Sequence, residues 1–262
     1  MDHMGSIAVV CAMEKEAVHL RRMLDDAREE PLPRWRRTRG TIGGVPVDVV
    51  VSGIGLINSA AATSALCAIE RPRAIFNYGC SGAHREDIDP GDVVIASDVV
   101  HFSSLIVLPD GGRRYEGFRY YIDYEEVLAE RLNVDASLLE TATAVAEQVM
   151  LPEWAGVGHP PRVLTGTVGS ADIWTQHGES IRDMHTIHGS LCEEMEAAAI
   201  AQVAATWGIP FLAVKDISNN ELREFTDMSI EGARLLAHVA DEVGRRAALI
   251  VEATIRAMGT DE

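Results

Sequence analysis

"EEMEAAAIA" (Glu193–Ala201) runs acids and a methionine straight into an alanine-rich stretch, and "GIPFLAVKDISNN" (Gly208–Asn220) comes soon after it. Alanine favours a helix from Ala197 to Trp207, and Gly208 with Pro210 is the stop signal expected behind it. The apolar run from Phe211 to Ser218 is then a buried strand. Helix, tight turn and buried strand in direct succession make an α/β unit. Acids such as Glu193, Glu194 and Glu196 are rarely placed beside a well-packed helix start unless something pairs with them. The stretch that sets the fold therefore also marks a site.

The same alternation extends in both directions. "IAVVCAM" (Ile7–Met13) is a continuous buried-strand pattern, and "EKEAVHLRRMLDDA" (Glu14–Ala27) keeps Ala17, Leu20 and Leu24 on one helical face. "TIGGVPVDVVVS" (Thr41–Ser52) places a Gly-Gly turn between strand formers, a hairpin. "SAAATSALCAIE" (Ser59–Glu70) predicts a helix, "RAIFNYGCSGA" (Arg73–Ala83) a strand running into a small-residue loop, and "GDVVIASDVVHF" (Gly91–Phe102) another strand. Asp110–Asp123 shows no period and predicts a long aromatic loop or flap. Glu125–Val149 and Ser229–Met258 predict helices, and Arg162–Val168 a strand. The Pro/Gly-rich "LPEWAGVGHPP" (Leu151–Pro161) is the best candidate for a boundary. Because the alternation continues through it, one α/β domain over residues 6–258 is expected.

Hydrophobic residues make up 47% of the 262, enough for a substantial core. No apolar run reaches the roughly 18–20 residues of a membrane span. "SIAVVCAM" is too short for a leader and is followed at once by Glu14 and Glu16. A cytoplasmic protein is expected. Forty acidic residues against 23 Lys plus Arg leave a charge of −17, which repels a phosphate backbone and argues against nucleic-acid partners. The one basic cluster, "RWRRTRG" (Arg34–Gly40), is expected to be a solvated strand edge defended by charge. Cys11, Cys67, Cys80 and Cys192 show neither metal spacing nor a disulfide pattern.

Several short motifs follow predicted strands, where ligands of parallel α/β sheets bind. "SGIGLIN" (Ser52–Asn58) and "NYGCSGA" (Asn77–Ala83) are either plain tight turns or loops that cradle an anion with main-chain N–H groups. Glu16 is either a solvated first-turn helix charge or a site carboxylate. Trp174 in "GSADIW" (Gly169–Trp174) suits a core or a stacking platform, and the asparagines of "VKDISNNE" (Val214–Glu221) suit a turn or hydrogen-bonded recognition.

Taken in order, "AMEKEA", "SGIGLIN", "NYGCSGA", "PGDVVIA", "GSADIW", "EEMEAAAIA" and "GIPFLAVKDISN" resemble the nucleoside phosphorylase/hydrolase superfamily, most closely the 5′-methylthioadenosine/S-adenosylhomocysteine nucleosidases. The likeness runs from about Ile7 to Asn219. It implies a twisted mixed central sheet flanked by helices, a homo-oligomer (dimer or larger) and no metal or organic cofactor. It also implies hydrolysis of the N-glycosidic bond of a purine nucleoside. Glu16 would be the general base on water, Glu196 would bind the ribose hydroxyls with Met195 against the sugar, and Glu194 would support Glu196. Trp174 would stack on the purine, and the main chain near Thr175 would meet the base edge.

Phosphorolysis is the rival reaction, but the first loop is acidic and the second carries no arginine to hold phosphate. The family's small hydroxyl in the second loop falls at Cys80, or shifts to Ser81 beside Gly82, and a strand arginine that helps place water falls at Lys215. Adenine-specific members carry an aspartic acid where Asn219 stands. Asparagine cannot protonate purine N7 but can hydrogen-bond it, as in futalosine hydrolases and some 6-oxopurine phosphorylases. Asp172 and Glu221 are the carboxyls left to supply that proton. A catalytically weak nucleoside-binding protein is the third reading, opposed by the presence of Glu16 and Glu196 together.

Overall fold

The computed structural model describes residues 5–30, 32–226 and 241–259. The uninterrupted apolar run Ile7–Cys11 forms β1, every residue buried. α1 (Glu14–Arg21), β2 (Asp25–Glu29), β3 (Arg36–Ile42), β4 (Val45–Val51), α2 (Leu56–Glu70), β5 (Ala74–Ala83) and β6 (Val93–His101) follow. Next come β7 (Leu105–Val107), β8 (Arg113–Tyr115), β9 (Phe118–Ile122), β10 (Glu125–Ala129), β11 (Leu132–Asn133) and α3 (Ala136–Ala146). The described chain ends with β12 (Val163–Ser170), α4 (Gly178–His188), β13 (Ser190–Glu194), α5 (Ala197–Trp207), β14 (Phe211–Asn219) and α6 (Arg245–Met258).

The expected mixed central sheet is present, with ten strands in the order β11-β6-β12-β13-β5-β1-β4-β3-β2 and β14 bonded to both β5 and β6. Through β14 the pairing closes on itself, so that β5, β14, β6, β12 and β13 form a small ring while β1, β4, β3 and β2 extend as an open wing. β1 lies parallel to β4 and β5, and β14 parallel to β5, whereas β13 runs antiparallel to β5. The core is built from buried Val, Ile and Ala of β1, β4, β5, β6 and β14 under α2, α5 and α6. Each fully buried large aliphatic contributes about 1.5–3 kcal/mol. α5 packs on α2, and α6 on α1 and α3.

Four expectations need correction. Glu125–Val149 is not one helix: β10 pairs with β9, β11 with β6, and only Ala136–Ala146 is helical. Asp110–Asp123 is not a long loop or flap but carries the whole of β8 and β9. The small-residue stretch after Tyr78 remains strand to Ala83, because β14 and β13 grip it from either side. Arg34–Gly40 is not a solvated edge. β3 lies between β2 and β4, Arg37 is buried, and Arg39 reaches Asp48 at 2.9 Å and Glu70 at 3.3 Å. The charged edge is β2, whose residues are all exposed and whose pairing with β3 limits α1 to Glu14–Arg21. Of the helix expected over Ser229–Met258, residues 229–240 lie outside the described residues.

Candidate active site

The strand register gathers the motifs at one end of the ring. Gly82 of β5 faces Asn219 of β14 on one side and Glu193 of β13 on the other. α1 begins directly beyond β1, and α5 directly beyond β13. Between them opens a cavity of about 710 Å³ whose lining includes Glu16, Cys80, Ser81, Gly82, Trp174, Thr175, Glu194, Met195, Glu196 and Asn219. Of the residues expected at the site, Lys215 does not line it, nor does Asp172, one of the two carboxyls considered as proton donors. The Lys215 side chain is buried behind the wall.

Glu16 is a first-turn helix residue, but it is almost entirely buried rather than solvated. Its Oε2 accepts from the N–H groups of Ala12 (3.1 Å) and Met13 (3.0 Å), and its Oε1 from the N–H of Cys80 (2.9 Å). A Cβ at Gly79 would come within 2.6 Å of Oε1, so glycine is what lets β5 approach the carboxylate. Burial raises the Glu16 pKa, against the lowering effects of the Cys80 N–H and the Lys215 charge. The outcome is a carboxylate shifted toward neutrality, as suits a general base. The Cys80 thiol is pushed well above its ordinary pKa by burial and by Glu16. It is a packing and hydrogen-bonding group, not a nucleophile.

Glu194 holds the start of α5. It accepts from the N–H groups of Glu196 (3.1 Å) and Ala197 (3.0 Å) and pairs with Lys215 at 2.6 Å, both side chains buried. Burial alone would lower the Lys215 pKa; the charges of Glu194 and Glu196 outweigh it and raise the pKa. Glu196 accepts from the N–H of Gly55 at 2.8 Å. Burial, then the Glu194 charge, push its pKa up to about 8 despite Lys215.

The "SGIGLIN" turn answers the question that its glycines raised. It does cradle acidic groups, but they are the protein's own: Gly55 N–H holds the Glu196 carboxyl, and Leu56 N–H holds Asp172 Oδ1 at 2.8 Å. A Cβ at Gly55, where φ is +100°, would meet that Asp172 oxygen at 2.7 Å.

At the far end of the cavity, the Trp174 indole N–H donates to Glu221 Oε1 at 3.1 Å, and Asn219 Nδ2 donates to the same oxygen at 2.9 Å. Asn219 Oδ1 accepts from the Ser218 hydroxyl at 2.8 Å. Glu221 also accepts from Gln176 and from the Thr226 N–H. Both of its oxygens are thereby engaged. Asp172, tied to the start of α2, is not among the residues lining the cavity. Of the two, only Glu221 lines the cavity.

Two lining residues escaped sequence reasoning as site residues. Glu193 accepts from Thr175 N–H (2.7 Å) and Thr175 Oγ1 (2.9 Å) and meets His84 Nε2 at 3.2 Å. His84 follows a run of small residues with nothing to mark it, while Glu193 signals itself only as one of two adjacent acids ending a buried strand.

A buried carboxylate at the start of α1, another at the start of α5, and a tryptophan beside amide and carboxylate groups thus line one cavity. The profile of the Phosphorylase superfamily matches residues 6–256, and the chain belongs to that superfamily. It is 28% identical over 258 residues to the 5′-methylthioadenosine/S-adenosylhomocysteine nucleosidase of Chromohalobacter salexigens, covering 98% of this chain and 99% of that one. Among solved structures it is similar to the S. pneumoniae 5′-methylthioadenosine/S-adenosylhomocysteine nucleosidase with a transition-state inhibitor. That match has a TM-score of 0.76 and 24% identity, covering 97% of this chain and 99% of that one. It is also similar to a futalosine hydrolase mutant of Helicobacter pylori, with a TM-score of 0.75 and 19% identity, covering 96% and 98%. These two structural likenesses speak for the fold.

Proposed function

We propose that this protein hydrolyses the N-glycosidic bond of a purine nucleoside, releasing the free base and a ribose derivative. One observation carries the choice of water over phosphate. The main-chain donors of the first loop and of the Gly55 turn, which would hold a phosphate, are taken up by Glu16, Glu196 and Asp172. No arginine lines the cavity among the described residues, and six glutamates do. A phosphate dianion there would meet like charge at short range.

In this reading Glu16 takes a proton from water as the water attacks the anomeric carbon, through a transition state of oxocarbenium character. The C1′–N9 bond breaks with its electron pair on the base, which then takes a proton from solvent. Glu196 accepts hydrogen bonds from the ribose hydroxyls, with the Met195 thioether against the sugar face. Trp174 stacks on the base, and the free N–H of Asn219 hydrogen-bonds it at N7. Lys215 acts from behind the wall, neutralising Glu194 so that α5 can present Glu196. Relatives named as 5′-methylthioadenosine/S-adenosylhomocysteine nucleosidases at full-length coverage support this reading.

The test is base release from a panel of purine nucleosides in phosphate-free buffer, by the wild type and by Glu16→Gln. The wild type should turn over without phosphate, and the variant should lose about 10²–10⁴-fold in kcat while keeping its fold. An absolute need for phosphate, with ribose 1-phosphate as product, would establish phosphorolysis instead. Undiminished turnover by the variant would return Glu16 to a purely structural role.

A further inference from the structure

The base end of the cavity presents hydrogen-bonding groups in a definite order. Gly82 has no side chain, and its register partners are Glu193 on one side and Asn219 on the other. A Cβ on Gly82 would lie 3.4 Å from Asn219 Nδ2, so glycine leaves clear the space beside that amide.

The orientation of Asn219 is decided by its neighbours. Its Oδ1 faces the Ser218 hydroxyl, which donates to it, and its NH₂ faces Glu221, which can only accept. One amide hydrogen is engaged with Glu221, and the second remains as a donor at the cavity. Asn219 therefore offers an N–H to a ligand.

Glu193 offers the opposite. Its Oε1 accepts from Thr175 N–H, and its Oε2 accepts from Thr175 Oγ1 and faces His84 Nε2. Ser190 Oγ stands 2.8 Å from His84 Nδ1. A hydroxyl donating there leaves the His84 N–H on Nε2, pointed at Glu193. Three donors occupy three of about four lone-pair positions, so an acceptor position remains on Oε1. The side chain is nearly buried and lines the cavity. The carboxylate also takes up the Thr175 N–H that the family resemblance leads one to expect at the base edge.

The one free N–H of Asn219 can be shared between N7 and O6 of a 6-oxopurine, both of them acceptors, while Glu193 accepts from its N1–H. Adenine has the reverse pattern, a donor at N6 and an acceptor at N1. Buried groups left without a partner discriminate strongly, since each mismatch strands a desolvated polar atom.

Building on the hydrolase reading, we propose that Glu193 and Asn219 select a 6-oxopurine nucleoside, with Glu193, braced by His84 and Thr175, accepting the N1–H of the base. The 6-oxopurine anion is also the better leaving group, which fits an amide rather than an acid at position 219.

The test compares kcat/KM for inosine and adenosine, and for their 5′-methylthio derivatives, in the wild type and in Glu193→Gln. The wild type should favour the 6-oxo member of each pair. Glutamine keeps the shape but can turn an N–H toward N1, so the preference should move toward adenine by roughly 10- to 100-fold. Binding of free hypoxanthine and adenine, measured by calorimetry, gives the same comparison without turnover.

A wild type that favours adenosine, or a variant that loses both substrates equally, overturns the assignment while leaving hydrolysis intact. If neither nucleoside releases its base, the hydrolase reading fails, and the free bases then decide: tighter hypoxanthine supports the assignment, and tighter adenine removes it. Should Glu193→Gln not fold, the wild-type ratio decides alone.

Discussion

At the scale of single residues, the site is a concentration of buried carboxylates around one buried ammonium. Glu16, Glu194 and Glu196 all act on Lys215. One cation cannot neutralise three acids, and the excess falls on Glu196, whose pKa rises to about 8. An unfolded glutamate titrates near 4.3. Between those values the folded protein binds more protons at this position than the unfolded chain does, so stability falls as pH rises through that window and levels off above it. Asp216, pushed up to about 8 chiefly by burial, adds a slope of the same sign. Glu196→Gln removes only the first contribution. Its melting temperature should therefore fall less steeply between pH 5 and 9 than that of the wild type, by about 2–4 °C for each kcal/mol removed. Parallel melting curves in the two proteins would show that Glu196 carries no extra proton in the free state.

At the scale of elements, the junction from β13 through Glu194 into α5 is tied to β14 by the Glu194–Lys215 pair. Removing one partner of a buried pair leaves the other charged and desolvated. Lys215→Met should accordingly cost about 3–5 kcal/mol, read as a lower urea midpoint, and Lys215→Arg should recover part of it. An unchanged midpoint for the methionine variant would mean that Glu194 takes up a proton instead. Elements differ in how legible they are. Helix α5 and strand β14 are plain in the sequence because the alanine run, Gly208 and the apolar run each have a local cause. Glu125–Ala129 is rich in helix formers, yet it pairs with Phe118–Ile122, and that cross-strand partner is invisible to a local pattern. Gly117, at φ +67° with Ala129 O only 2.4 Å from where a Cβ would stand, marks the open end of that pair, whose turn, Asp123–Tyr124, carries no glycine.

At the scale of the whole molecule, several large apolar side chains remain uncovered. Ile57, Val107, Tyr121, Tyr124 and Leu128 are all more than half exposed, and Ile54, also half exposed, lines the cavity. Large exposed apolar side chains are the mark of an interface, and we propose a homo-oligomer whose partner covers the Ile54–Ile57 turn at the cavity. Light scattering should give a multiple of 28.4 kDa, and Ile57→Asp should lower it. A monomer at micromolar concentration would remove the proposal. Among the described residues, no helix is long and apolar enough to cross a membrane.

The sequence by itself determined the α/β alternation, the strand–turn–helix positions of Glu16, Glu196, Trp174 and Asn219, and the acidic character of the first loop. All of these depend on local periodicity and on motifs contiguous in the chain. Only the tertiary structure decided that β14 closes the ring, because β14 pairs with strands far from it in sequence. It also decided that the glycine turn holds Glu196 and Asp172, groups more than a hundred residues away. The pairing of Glu193 with His84 and Thr175 across from Asn219 is of the same kind. Donor and acceptor become a recognition pattern only when β13 and β14 flank the same glycine of β5, and no local signal encodes that register.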